Sequence, residues 1–233
     1  MTVLHVRHHD ASIQVVVKLT RFIADWPAAQ QQFIGGIADG FRDWLPISAR
    51  SFSVTPALAL DDLRCRCQLF GGACSIILAP DTLRLDFMNV RQRDQPEVIE
   101  TVRRSLDWLA AALGENGRDW MSFNTSAHMQ APDSATVDAY LGQFVPEDVD
   151  SILQMEPGAR YLPSARMMCS GENGRWILRR VVEKSTVIDD GVYVDTRIDI
   201  RNPDPVGIGG HVELLARLDR LADSVVGLQP EDG

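Results

Sequence analysis

The spacing of apolar and polar positions changes repeatedly along the chain, and each change predicts an element. Ser12–Lys18 (SIQVVVK) is rich in β-branched residues and reads as a strand. From about Pro27 to Leu45, Phe33, Ile34, Ile37, Phe41, Trp44 and Leu45 form one helical stripe. Asp25 offers an N-cap, Pro27 suits the first turn, and Pro46 stops the helix. Leu63–Phe70, Ala73–Leu78 and Leu83–Met88 then alternate with the period of strands. Gly71-Gly72 and Ala79-Pro80-Asp81-Thr82 supply the turns between them. A helix from Gln95 to Leu113 follows, with Asp94 and Glu97 as a capping box and Gly114 as a stop. Its expected buried stripe is Val98, Ile99, Val102, Leu106, Leu109 and Leu113.

The same order then recurs. Asp119–Gln130 reads as a long strand, and Ser134 to about Phe144 as a helix flanked by Pro132 and Pro146. Ala165–Ser170, Arg175–Glu183 and Val192–Ile200 are expected strands, with Gly171–Gly174 and Asp189-Asp190-Gly191 as turns. A closing helix from about Gly210 to Val226 carries the stripe Val212, Leu215, Leu218, Leu221, Ala222 and Val225. A short helix is expected around Ser151–Met155, and Gln229–Gly233 is expected to fray.

Residues 1–117 and 118–233 therefore each read strand–helix–strand–strand–strand–helix. This is an α+β plan, with mainly antiparallel sheets and helices on one face. Two arrangements satisfy it: one continuous sheet, or two neighbouring sheets. The plan resembles folds in which tandem α+β units build a curved sheet, including the strand–helix–strand–strand modules of small-molecule sensors. That resemblance implies no particular function.

Charge narrows the functional classes. The 233 residues carry 23 Lys+Arg and 32 Asp+Glu, a net charge of −9. Residues 1–117 hold 12 basic and 13 acidic side chains, and residues 118–233 hold 11 and 19. The acid excess argues against a nucleic-acid binder, although Arg64, Arg66, Arg84, Arg91 and Arg93 are close in sequence. The acidic second half points instead to a basic protein partner. No apolar run is long enough for a membrane helix, and the N-terminal residues do not read as a signal peptide. With four cysteines, this fits a reducing cytoplasm.

Four groups of side chains are candidates for chemistry. Hairpin register puts Cys65, Cys67 and Cys74 on one face with Leu69, Ile76 and Leu78, so these thiols read as small buried hydrophobes. No metal and no cofactor is expected. His5, His8, His9 and Asp10 read as an exposed entry to the first strand. His128 shares a polar row with Trp120, Ser122, Asn124, Ser126 and Gln130. Asp195, Arg197 and Asp199 share a strand face, with Arg179 and Arg180 on the neighbouring strand, and cross-strand ion pairing is the expected use of that row. Gly35, Gly36 and Gly40 lie inside the first helix, where glycine is costly, and imply a close approach: helix on sheet, or a helix between subunits. Val206–Gly210 offers backbone N–H groups to an anion but lacks a phosphate-binding motif.

These observations favour a cytoplasmic protein-interaction or adaptor protein without catalytic activity. The alternative is a small-molecule-binding protein or enzyme using His128, Asn124, Asp195, Arg197 and Asp199.

Overall fold

The structure, a computed structural model, describes residues 2–55, 59, 62–113, 118–149, 161–171, 174–201 and 208–231. The segment Ser151–Met155 lies outside these residues, as do Val206 and Gly207 of the glycine-rich loop.

Among the described residues, ten strands form one sheet. They are β1 (Leu4–Leu19), β2 (Phe52–Thr55), β3 (Arg64–Leu69), β4 (Cys74–Leu78), β5 (Thr82–Val90), β6 (Arg118–Gln130), β7 (Ser164–Ser170), β8 (Trp176–Lys184), β9 (Gly191–Arg201) and β10 (Leu228–Pro230). The order is β2-β3-β4-β5-β1-β6-β9-β8-β7, antiparallel throughout, with β10 added parallel to the start of β1. The helices are α1 (Trp26–Phe41), α2 (Gln95–Leu113), α3 (Ser134–Gly142) and α4 (Ile208–Val226). The architecture is α+β, and the two expected sets of strands join through the central β1–β6 pair.

The two halves share more than element order. β3-β4-β5-β1 on one side matches β7-β8-β9-β6 on the other, and antiparallel β1 and β6 relate them by a local two-fold. The register obeys the same relation. Gln14↔Asp86 and Val16↔Arg84 in the first half correspond to Ser122↔Asp199 and Asn124↔Arg197 in the second. The central pairs Gln14↔Asn124 and Val16↔Ser122 exchange with one another. Helix starts correspond too: the Asp25 carboxylate accepts the Ala28 N–H at 3.2 Å, and the Asp133 carboxylate accepts the Thr136 N–H at 2.7 Å. Both α2 and α4 have 19 residues.

Among the described residues, the four helices cover the same face. Val15, Leu85, Ile76 and Cys67 point into it from the first half, and Phe123, Ile198 and Leu178 from the second. They meet Phe33 and Ile37 of α1, Leu106 and Leu109 of α2, and Leu218 and Ala222 of α4 in one core. Tyr140 and Leu141 of α3 form a second cluster with Val182, Val194 and Leu4. The Tyr140 hydroxyl donates to the Val226 carbonyl at 2.7 Å, which meets the demand of a buried polar group. Burial pushes that phenol upward from its ordinary pKa.

The β3–β4 hairpin follows the expected register, with Leu69↔Cys74, Cys67↔Ile76 and Cys65↔Leu78. Ala73 N–H closes the turn on the Phe70 carbonyl, with Gly71 at φ 66° and Gly72 at φ 97°. Such a turn matches the twist of the strands and favours glycine at both central positions. Cys65, Cys67 and Cys74 are buried, Cys169 is half-buried, and all four are free thiols. Burial raises the Cys65 pKa to about 11 and that of Cys67 to about 12. An aromatic disulfide reagent is therefore expected to leave Cys65, Cys67 and Cys74 unmodified in the native protein and to modify all four thiols in denaturant. Rapid native labelling of two or more thiols, read by mass spectrometry, contradicts this packing.

Several expectations are corrected. Helix α1 ends at Phe41 and not at Leu45; a turn through Arg42–Leu45 follows it. Ile99 is 44% exposed because the buried arc of α2 runs through Val102, Leu106 and Leu109 and takes in Thr101 and Ser105. Those hydroxyls donate to the Glu97 and Thr101 carbonyls, so they are buried without loss of hydrogen bonding. On α4 the arc Leu218–Ala222–Val226 leaves Leu221 and Val225 outside. His5, His8, His9 and Asp10 are not an approach to the first strand but part of it, since Leu4 and Val6 are buried and β1 begins at Leu4. Gln229 and Pro230 do not fray: they pair with β1, and Glu231 N–H donates to the Val6 carbonyl. The close approach at Gly36 is helix on helix within the chain. A Cβ on Gly36 would lie 2.2 Å from the Trp108 ring of α2, whereas Gly35 and Gly40 face open space.

Candidate functional site

The sheet face opposite the helices carries the candidate residues. Strand alternation sends Gln14 and Val16, Arg84 and Asp86, Ser122 through His128, and Asp195 through Asp199 to this side. One cross-strand row reads Asp86, Gln14, Asn124, Arg197, Arg179, Met168. Its middle is a hydrogen-bonded chain. Gln14 Nε2 donates to Asp86 Oδ1 at 2.9 Å, Asn124 Nδ2 donates to Gln14 Oε1 at 3.2 Å, and Ser122 Oγ donates to Asn124 Oδ1 at 3.3 Å. Ser122 is almost fully buried beneath its larger neighbours.

Each half adds an arginine held by the aspartate two residues later. Arg84 Nε donates to both Asp86 oxygens at 2.8 Å, and Arg197 Nε donates to both Asp199 oxygens at 3.0 Å. These pairs occupy equivalent places under the local two-fold. The ion pairing on this face thus runs along the strand, where a cross-strand arrangement was expected. Directly opposite Arg197 lies Arg179, a like charge. Arg180 is corrected as well: alternation turns it through the sheet to the helix side, where it is 3% exposed.

All five predicted site residues lie on β6 and β9, but they do not converge on one point. His128 pairs with Tyr193, Asp195 with Ser126, Asn124 with Arg197, and Asp199 with Ser122. His128 and Asp199 are about 20 Å apart along the strands, from about 3.4 Å per residue. Ser126 Oγ donates to Asp195 Oδ1 at 2.9 Å. The His128 ring rests against Tyr193, and its Nδ1 lies 2.9 Å from Ser185 Oγ. Ser185 Oγ already accepts the Val187 and Ile188 N–H groups, so its own proton points to Nδ1, which acts as acceptor. His128 thereby ties the β8–β9 turn to the sheet.

Two concavities open to solvent lie near the start of β1. One is lined by His5, Arg7, Gln130, Ala131, Pro132 and Glu231, the other by His9, Asp10, Asn89 and Arg91. Neither includes a predicted site residue. The second sits where β5 bulges against β1, with Met88 and Asn89, the latter at φ 55°, opposite Ser12. Burial lowers the His8 pKa, opposed by the nearby Asp10 carboxylate. Among the described residues no group of three His, Cys, Asp or Glu side chains is placed to hold a metal ion.

Sequence reasoning missed Gln14 and Asp86 as members of the hydrogen-bonded chain that holds Asn124, and Arg84 with Asp86 as the counterpart of Arg197 with Asp199. The available signal was the Arg-x-Asp alternation of Arg84-Leu85-Asp86 and Arg197-Ile198-Asp199 in corresponding strands. Ser185 and Tyr193 gave no such signal, because the β8–β9 turn brings Ser185 to His128 and the β6–β9 register brings Tyr193.

No family model matches the chain, and no curated protein matches it. Solved structures that resemble it include a chain from "The crystal structure of Tle4-Tli4 complex", with 9% identity, covering 87% of this chain and 89% of that chain at a TM-score of 0.20. A likeness at that level bears on neither fold nor function. Among the described residues no helix is long and apolar enough to cross a membrane.

Proposed function

We propose that this chain is a protein-interaction module that docks a partner on the open face of its ten-stranded sheet. One observation carries the reading: among the described residues, helices cover a single face, and the other face presents an ordered array of side chains. Antiparallel sheets tolerate one solvated face, so openness alone does not require a partner. The array goes further. Gln14, Asn124, Asp86 and Ser122 are linked, and Arg84 and Arg197 are each oriented by an aspartate. Side chains held in one geometry lose less conformational entropy on binding. The candidate residues are spread along two strands, which suits a surface better than a reaction centre. A cytoplasmic adaptor role without catalysis is the form of this reading that we favour.

The test is native mass spectrometry of the protein purified gently from its host, followed by hydrogen exchange of any complex found. A stoichiometric protein companion that protects β6, β8 and β9 supports the reading. Protection confined to α1 and α2, or a retained small molecule whose binding His128→Ala abolishes without unfolding the chain, overturns it.

A further inference from the structure

Building on that reading of the open face, we infer that the partner presents an acidic protein surface, whose carboxylates engage two arginine clusters related by the local two-fold. The chain as a whole is acidic, at −9, but this face is not. Strands β3–β5 place Arg64, Arg66 and Arg84 on it against Asp86. Strands β7–β9 place Arg166, Arg179, Arg197 and Arg201 on it against Glu183, Asp195 and Asp199. These six strands thus contribute seven cationic and four anionic side chains. The acid excess of residues 118–233, which in the sequence pointed to a basic partner, lies away from this face, for example at Asp133, Asp138, Asp189, Asp190 and Asp219 in turns and helices.

The strand positions of the two clusters correspond, and at two of them both halves carry arginine. Arg84 matches Arg197, and Arg64 matches Arg166. Arg66, Ile77 and Arg84 form a row in the first half, and Met168, Arg179 and Arg197 form its counterpart. Arg179 directly opposite Arg197 is unfavourable in the free protein, because like charges across a strand pair repel. Among the described residues, Arg66 and Arg179 have no hydrogen bond or ion pair, and Arg84 and Arg197 are engaged only through Nε. Each aspartate therefore fixes the plane of a guanidinium and leaves its terminal N–H groups free for a second carboxylate, a geometry that arginine supports in bidentate form.

A nucleic acid fits less well. Asp195, Asp199 and Glu183 are interleaved with the arginines, and a phosphate backbone carries no donors to meet these carboxylates. A protein surface can supply carboxylates to the arginines and donors to these acids together. Arg66 on β3 and Arg179 on β8 are six strand spacings apart, about 29 Å, which an extended peptide of about nine residues spans.

The probe is a peptide of about twelve glutamates, compared with one of about four, titrated against the full chain by fluorescence anisotropy at low and physiological salt. The double variant Arg66→Glu/Arg179→Glu removes no interaction among the described residues. It is expected to weaken binding of the long peptide by about tenfold, with about a twofold change or less for Arg217→Glu/Arg220→Glu on α4. The neutral pair Arg66→Gln/Arg179→Gln gives a smaller loss in the same direction, and circular dichroism checks each fold. Equal losses for the face and helix variants overturn the inference. So does absence of wild-type binding at low salt, or tighter binding of a single-stranded oligonucleotide of equal charge with the same arginine dependence. If the glutamate peptide fails while a native complex still protects the open face, only the acidic chemistry falls. If that complex protects the helix side, the reading of the face falls as well.

Discussion

Replacing Arg180 with leucine is expected to lower stability by about 3–5 kcal/mol, the usual cost of breaking a buried ion pair by removing one partner. Arg180 lies between the sheet and α4. Its Nε donates to Thr196 Oγ1 at 3.0 Å, and its terminal nitrogens pair with the Asp219 and Asp223 carboxylates. Removing the guanidinium strands Asp223, whose side chain is only 15% exposed. Burial already raises the Asp223 pKa to about 6 from the ordinary carboxylate value of 3.8, against the lowering effect of Arg180. A carboxyl with a raised folded-state pKa holds its proton longer in the folded chain than in the unfolded one. Stability contributed by this group therefore falls as pH rises from about 4 to about 6. Without Arg180 the folded-state value rises further, so the loss in Arg180→Leu is expected to be larger at pH 8 than at pH 5. Urea unfolding at the two pH values reads this, and an equal loss at both excludes the coupling. The first half suggests the rescue. Leu78 and Leu106 occupy the places equivalent to Arg180 and Asp219, and both are fully buried. Arg180→Leu/Asp219→Leu/Asp223→Ala is expected to regain most of the lost stability, because a packed apolar contact replaces the ion pairs.

Two adjacent glycines in α1 are expected to respond with opposite signs. Gly36→Ala lowers stability by about 1–3 kcal/mol, since the new methyl would lie 2.2 Å from Trp108 Cδ1 and Nε1. The indole has little room to yield, because its ring packs edge-on against Phe33 at 5.3 Å, and Phe33 is fully buried. Gly35→Ala meets nothing within 4 Å and is expected to raise stability by up to about 1 kcal/mol, the difference in helix propensity. Thermal unfolding of the two variants beside the parent decides the matter. A stabilising Gly36→Ala would show that α1 and α2 are not in this contact.

Much of the fold was legible in the order of residues. Period-two alternation located β3–β5 and β7–β9 to within a residue or two, and the Gly71-Gly72 turn set the hairpin register that buries Cys65, Cys67 and Cys74. These are local properties: a strand with one buried face must alternate, and a tight turn leaves one pairing. His128 and Asn124 on β6, and Asp195, Arg197 and Asp199 on β9, were each placed on one face of their own strand for the same reason. Their partners Gln14 and Asp86 were not legible, because they arrive from strands distant in sequence.

Alternation along one strand says which residues share a side, and here it correctly separated the polar row of β6 from Met121 and Phe123. It cannot say which side receives the helices, whether two sets of strands join, or how deep a helical stripe sits. Those outcomes depend on long-range packing. The β1–β6 pairing joined the halves, α4 came down on the face that holds Arg180, and Ile99, Leu221 and Val225 fell outside the arcs that touch the sheet. Local chemistry along the chain sets the elements and their faces. Burial of one side of the joined sheet decides which side chains become core and which remain available to a partner.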